Sequence, residues 1–375
     1  MLLETIRETG YLTEDQLKPA LANGSYFLLA CPGSGKTRSA GVRFARLSDS
    51  GTRVAGTSYT NVGVEQIRRV VTRDLGYLVP PQCFLGTLHR LLLRYVFFPF
   101  GHLVMGCKQP PRLQPNDGNW PDVIFGGNPK VRMPVSGFQF KPDGSLCIRH
   151  TPKRFPHPPA TAAEMEQEQA ARLKKRVASW GLASFDDSMY WALRVLQGYP
   201  DLARAVARRF EEIIVDEAQD TSELQLAAVE EIWKTGELKS LVLIGDIEQS
   251  IYAFQGASPE GCKRLIETAG LETIELTENH RSSQRICDVT VHFCAREEAD
   301  VAVGDHAQCE IEPELILYDP DRPAELIPTF FQRIEDLDLE AAESVVLGRR
   351  LELVDELNDE AEVVAVAKRP LALGR

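Results

Sequence analysis

No stretch of about 18 uncharged apolar residues occurs in these 375 residues, so no membrane-spanning helix is expected. The N-terminus, MLLETIRETGYLTEDQ, carries acids throughout and has neither the basic start nor the small-residue cleavage site of a secretory leader. The eight cysteines, at 31, 83, 107, 147, 262, 287, 294 and 309, include no CxxC pair, and none stands with histidine at zinc-finger spacing. They are expected to be reduced thiols of a cytoplasmic protein without structural zinc. There is no internal repeat, and the C-terminal NDEAEVVAVAK lacks the E-x-K spacing of a metal-dependent nuclease core.

What is present is an ordinary globular balance, 43% hydrophobic and 26% charged, with length enough for two or three domains. The net charge of −12 hides a split. Residues 1–210 hold 28 Lys/Arg against 16 Asp/Glu, and residues 211–375 hold 14 against 38. A basic half joined to an acidic half can bind a polyanion on one face, although two differently solvated surfaces account for the split equally well.

Short apolar runs alternate with helical segments. YFLLA (26–30), RVAGTSYT (53–60), CFLGTLH (83–89), EEIIVD (211–216), SLVLIGD (240–246) and ETIELTE (272–278) read as strands. Helices are expected in TRSAGVRFARL, VGVEQIRRVVTRDLG and RLLLRYV, which follow the first three. This alternation implies an α/β fold, a mostly parallel sheet covered on both faces, with working residues at the carboxyl ends of the strands. Between about 96 and 160 the chain turns rich in Pro and Gly, with a hairpin expected in FQFKPDGSLCIR around Pro-Asp-Gly. A helix in TAAEMEQEQAARLKKRVASWG follows, and the whole is read as a subdomain inserted into the sheet domain.

ACPGSGKT, residues 30–37, fits the P-loop pattern, with Ala30 where glycine is commonest. Ala30, Cys31, Pro32, Gly33, Ser34 and Gly35 would curl the backbone so that N–H groups face phosphate oxygens beside a helix N-terminus. Lys36 supplies positive charge for the β- and γ-phosphates, and Thr37 a hydroxyl ligand for Mg²⁺. A second sheet strand ending in acids is then needed, and IIVDEAQD (213–220) supplies it. Asp216 is expected to hold Mg²⁺ and Glu217 to accept a proton from the attacking water.

With these two sites, GTSYTN (56–61), GTLHRLL (86–92), LIGDIEQSIYAFQGA (243–257) and LTENHRSS (276–283) complete an ordered set of six motifs. The set resembles that of the UvrD/Rep-type superfamily 1 DNA helicases, well over residues 10–93 and 183–290 and poorly elsewhere. SFDDSMYWALRVLQGYPDLARAVARRF is similar to the helix that precedes the acidic motif there. The resemblance implies a RecA-like P-loop NTPase domain at 1–93 and 183–283, an inserted subdomain at 94–182, and the beginning of a second RecA-like domain at 284–375.

It also implies ATP and Mg²⁺ as cofactors and single-stranded or partly duplex DNA as partner. Gln16 matches the glutamine that reads the adenine edge, Arg38 an arginine beside the ring, and Gln249 the sensor of the γ-phosphate. Arg281 matches an arginine finger, which offsets charge on the transferred phosphoryl group. Tyr59, Thr60 and Asn61 match a segment that grips single-stranded DNA, Thr87 and His89 a second backbone contact, and Tyr252 and Phe254 a base-facing aromatic pair.

Three departures stand out. Gln255 replaces a usual arginine, and His280 replaces the tyrosine that stacks on adenine. After residue 290 nothing resembles the two remaining motifs, H-x-x-K-G and T-R-A. PELILYDPDRPAELIPTFFQRIEDLDLEAAESVVLGRR reads as the first strands and helix of the second motor domain. The expectation is therefore an ATP-dependent helicase or translocase in which ATP binding survives while turnover and unwinding by this chain are weak. The alternative is a regulatory ATP- and DNA-binding component of a larger repair or defence complex, beside a nuclease or a completing partner.

Overall fold

The computed structural model describes residues 6, 8–126, 131–148, 164–249, 257–294, 298–317, 319, 326–339 and 344. Six of the apolar runs form one sheet: β1 (Tyr26–Ala30), β2 (Val54–Ser58), β3 (Phe84–Thr87), β4 (Glu212–Asp216), β5 (Ser240–Gly245) and β6 (Glu272–Leu276). The strand order is β6-β1-β5-β4-β2-β3, and every neighbouring pair is parallel. A parallel sheet covered on both faces takes apolar residues at successive positions, which is why the central strands read as unbroken runs, while β6 at the edge keeps exposed polar positions. Alternate residues serve opposite faces. Ile213, Val215, Leu241 and Leu243 enter one core with Phe27, Ala55 and Phe84. Ile214, Val242 and Ile244 enter the other with Tyr26, Leu28 and Val54. The expected parallel α/β sheet is what the chain forms.

Helices Lys36–Asp49, Asn61–Arg69 and Leu88–Leu92 follow β1, β2 and β3. Thr60 and Thr87 cap the latter two, their hydroxyls accepting from the N–H groups of Gly63 (3.0 Å) and Arg90 (3.2 Å). Both helices run on into π-helical turns, Val70–Asp74 and Leu93–Phe97. The one helix expected ahead of β4 is two, Phe185–Gly198 and Pro200–Arg209. Pro200 has no N–H with which to continue the first helix, and it takes the opening turn of the second, where none is required.

The insert contains two antiparallel pairs, Asp122–Phe125 with Val131–Pro134 and Phe138–Phe140 with Leu146–Ile148. The second is the hairpin expected at Pro-Asp-Gly, closed by Gly144 N–H donating to Lys141 O and Lys141 N–H to Ser145 O. Met133, Val135, Phe138, Phe140 and Leu146 belong to the same apolar core as Phe27 and Ile213, so the insert shares the core of the sheet. A buried ion pair ties its helix Glu164–Ser179 to Phe185–Gly198: Lys174 Nζ lies 2.6 Å from Asp187 Oδ2.

The chain divides into compact units at residues 1–310 and 311–375. Glu278–Asn279 pairs with Val301–Ala302, which ties residues 301–302 back to the preceding domain. Within the following segment the Gln284 amide donates to Asp300 O and accepts from Ala302 N–H. In the second unit the helix Leu326–Asp336 is formed, and Arg333 pairs with Glu314 and Asp336. Of the strands expected in 313–350, none is found among the described residues, and 311–317 join no sheet; the rest of that stretch outside 319, 326–339 and 344 lies outside the described residues. No helix among the described residues is long and apolar enough to cross a membrane.

Candidate nucleotide and strand-binding site

Pairing in register brings the strand ends level. Leu276 lies beside Ala30, Gly245 beside Leu29, Ile244 beside Asp216, and Ser58 between Asp216 and Thr87. Motifs far apart in sequence thus meet at the carboxyl edge of the sheet, where open parallel sheets place ligands.

The loop 30–37 leaves β1 and turns directly into the helix Lys36–Asp49, which has no side-chain cap. Cys31 O accepts both the N–H and the hydroxyl of Ser34. Gly33 and Gly35 are left-handed, at φ +83° and +81°. A Cβ on Gly33 would meet Arg281 Cβ at 2.6 Å, and one on Gly35 would meet Gln16 Nε2 at 2.3 Å. Both positions exclude a side chain twice over, by backbone and by space.

Lys36 Nζ pairs with Glu217 Oε2 at 3.0 Å. Glu217 itself has left-handed backbone, φ 53° and ψ 47°, which costs a non-glycine residue about 1–2 kcal/mol. Its carboxylate also accepts from Gln219 Nε2 at 2.7 Å. Asp216 is 1% exposed, and neither of its carboxylate oxygens has a hydrogen-bond partner among the described residues. Burial pushes its pKa up to about 7; Glu217 adds to the rise and Lys36 opposes it. Two buried, unpartnered carboxylate oxygens need a cation or a proton, and together with the Thr37 hydroxyl they are the hard oxygen donors that fit Mg²⁺.

An amide bridge that sequence reasoning missed runs on from this pair. Gln219 Oε1 accepts from Asp246 N–H at 3.3 Å, and Asp246 Oδ2 accepts from Gln249 Nε2 at 2.6 Å. Glu217 and Gln249 are therefore joined through Gln219 and Asp246. The signal was available: a glutamine two residues past the acids, at the end of a buried strand, has to spend its amide on something.

Arg281 and His280 lie against the loop. His280 N–H donates to Gly33 O at 3.0 Å, and Asn279 Oδ1 closes the turn by accepting from Arg281 N–H and Ser282 N–H, both at 2.9 Å. On the same side Gln16 is 1% exposed; its amide donates to Ser34 O at 2.8 Å and accepts from Thr13 N–H at 3.3 Å. The Arg38 guanidinium lies over the Tyr11 ring, 5.1 Å from its centroid.

At the other end of the sheet edge a cleft of about 460 Å³ opens between the insert hairpin and the sheet domain. Its lining includes Tyr59, Lys141, Phe185, Ser222 and Ser258. Asn61 is exposed, and the hydroxyls of Thr60 and Thr87 each accept a helix-cap hydrogen bond while keeping a proton to donate. His89 lies deeper in the wall. It is 7% exposed, stacked 3.5 Å from the Phe185 ring, with Ser188 and Gln225 at 3.4 Å from its two nitrogens. Burial lowers its pKa to about 3, so it is a neutral wall residue and offers no charged contact to a phosphate. The surface group at this point is Phe185, which sequence reasoning passed over and which is 51% exposed beside the ring it stacks on. Tyr252 and Phe254 lie outside the described residues.

Comparison with known proteins agrees with the motif set. Residues 150–269 match the family model of the UvrD/REP helicase N-terminal domain. The chain is 32% identical to a subunit of an ATP-dependent helicase/nuclease of Exiguobacterium sibiricum over 48% of its length and 16% of the relative's. It is 32% identical to ATP-dependent DNA helicase UvrD1 of Mycobacterium leprae over 33% of this chain and 17% of that one. With DNA helicase II of Haemophilus influenzae the identity is 24% over 70% of this chain and 37% of the relative. The chain thus spans well under half the length of each of these relatives, and the similarity bears out the resemblance to UvrD/Rep-type helicases.

Proposed function

We propose, from the premise that residues 150–269 carry a UvrD/REP helicase N-terminal domain, that this chain hydrolyses ATP and couples hydrolysis to movement along single-stranded DNA. The observation that carries the reading is the convergence of Lys36, Asp216, Glu217 and Gln249 on one sheet edge, joined by the Lys36–Glu217 pair and the Gln219–Asp246 bridge. Lys36 would bind the β- and γ-phosphates, and a phosphate oxygen competes directly with Glu217 for its ammonium. Glu217, released from that pair, accepts the proton of the attacking water, with Gln219 orienting its carboxylate. Gln249 can donate to the γ-phosphate and accept from that water. Arg281 lies beside Gly33 and offsets charge on the transferred group. Asp216 and Thr37 would hold Mg²⁺, which when bound neutralises phosphate charge.

For the strand, Tyr59, Asn61 and the exposed Phe185 supply stacking and polar contact at the cleft, worth about 1–3 kcal/mol per stacked base. Lys141 adds a positive charge on the opposite wall. The test is ATPase activity with and without single-stranded DNA. Lys36→Ala is expected to lose nucleotide binding. Glu217→Gln is expected to bind ATP and to hydrolyse it about 10²-fold more slowly or worse. Wild-type turnover by Glu217→Gln sinks the assignment of the base, and turnover indifferent to DNA sinks the translocase reading.

Two relatives are named as subunits of an ATP-dependent helicase/nuclease, and those names support a protein partner for this chain as well. Co-purification with a stoichiometric partner is the expected result; a monomer fully stimulated by DNA alone counts against it.

A further inference from the structure

The acid before Asn279 has no role in the scheme above, yet its carboxylate lies between two groups on the base side of the site. Thr13 Oγ1 donates to Glu278 Oε2 at 2.6 Å, and the same oxygen is 3.6 Å from His280 Nε2. Thr13 is the N-cap of the helix Glu14–Leu21, and it forms a capping box with Gln16. Its hydroxyl accepts from Gln16 N–H at 3.2 Å while its own N–H donates to Gln16 Oε1 at 3.3 Å. The hydroxyl has a single proton. Spending that proton on Glu278 turns its lone pairs toward Gln16 N–H and fixes the cap in one orientation.

Gln16 depends on that cap because it is buried. Its amide holds Ser34 O with one N–H and Thr13 N–H with one lone pair, so a rotated amide would strand a buried donor. One N–H and one lone pair remain, the complement of the N7 and N6 edge of adenine. Guanine presents an acceptor where adenine presents its N6 donor, so selectivity rests on which way this amide points. Glu278 is also fastened to the loop through its backbone: Cys31 Sγ is 3.6 Å from Glu278 O, and the adjoining turn accepts and gives hydrogen bonds at Gly33 and Asn279.

We infer that Glu278 is a positioning residue for nucleobase selection, acting through the Thr13 hydroxyl on Gln16 and directly beside His280. The inference rests on the proposed nucleotide site and deepens it. It concerns which base is chosen and leaves the phosphate chemistry unchanged.

The experiment is equilibrium displacement of a fluorescent adenine nucleotide by ATP and by GTP, which needs no turnover. It uses the full chain, Glu278→Ala, Glu278→Gln, Thr13→Val and the double variant Thr13→Val/Glu278→Ala, each checked to be folded at the assay temperature, the Thr13 variants being expected to melt slightly earlier for loss of the helix cap. Wild type is expected to prefer ATP. Glu278→Ala is expected to lose about tenfold of that preference; Thr13→Val, which removes the same bond and the cap to Gln16 N–H as well, at least as much; and the double variant no more than Thr13→Val alone, since the Thr13–Glu278 bond is already gone there. Glu278→Gln, whose amide oxygen still accepts from Thr13, is expected to keep most of it. A merely structural role weakens ATP and GTP together, and an unchanged ratio in Glu278→Ala overturns the inference. So does a wild type that binds both bases equally, which leaves the phosphate site standing. A wild type that binds neither nucleotide, or binding unaffected by Lys36→Ala, fails the proposed function itself and the inference with it.

Discussion

His89 shows how burial changes what a motif residue has to offer. The structure puts it in the wall of the cleft, buried and uncharged. No spacing pattern reveals that two helices close over it; only the packing of Phe185, Ser188 and Gln225 does. The burial has a consequence for stability. The pKa of His89 is about 3 in the folded chain and about 6.5 when unfolded. Below pH 6.5 the unfolded chain takes up a proton that the folded one refuses. The contribution of His89 is therefore complete above that pH and is lost as pH falls toward 3, at up to about 1.4 kcal/mol per pH unit. Urea unfolding of wild type and His89→Phe at about pH 7 and pH 5 should show wild type losing about 2 kcal/mol more than the variant over that interval. Equal losses would mean that His89 is protonated in the fold. That Asp216, Glu217 and Lys36 meet at one sheet edge was legible, because the P-loop pattern and a strand ending in acids each mark the carboxyl end of a strand. Gln219, Asp246, Thr13 and Glu278 were not, because each acts on a neighbour that the fold supplies.

Among the elements, the six strands were readable to within two residues at their ends. The inner strands, covered on both faces, have few polar positions to blur them, whereas the edge strand Glu272–Leu276 is largely exposed and is marked by alternation instead. Helix ends were less so. The break at Pro200 had a visible cause, whereas the π-helical turns at Val70–Asp74 and Leu93–Phe97 have no composition signal that marks them. The insert misled in another way: its Pro/Gly-rich texture marks a separate segment, and yet its apolar side chains complete the core of the sheet domain. Lys174 and Asp187, with side chains 2% and 4% exposed, are the fixed point of that attachment. Asp187→Ala leaves a buried ammonium without its partner and should cost about 3–5 kcal/mol, while Lys174→Met with Asp187→Leu should recover much of it. Urea midpoints decide this. A single variant as stable as wild type would show that the pair is not holding the insert helix.

For the whole molecule, net charge averages over an uneven distribution. The excess of acid lies after residue 210, and the cleft lining includes Lys141, on the wall to which the proposed function assigns a single strand. Lys141→Glu should lower affinity for a single-stranded oligonucleotide and flatten the dependence of log affinity on log salt by about one unit. Fluorescence anisotropy across a salt series reads both, and an unchanged slope would place the strand elsewhere. The sheet order has a temporal meaning as well. Tyr26 of β1 lies beside Val242 and Glu272, and β1 has no neighbour made earlier than β5. At about 5–20 residues per second, a ribosome delivers β1 roughly 10–50 s before either partner. Through that interval an apolar strand with both edges open must be sheltered from other chains. The loop 30–37 is synthesised ahead of the other five motifs and is among the last to be seated.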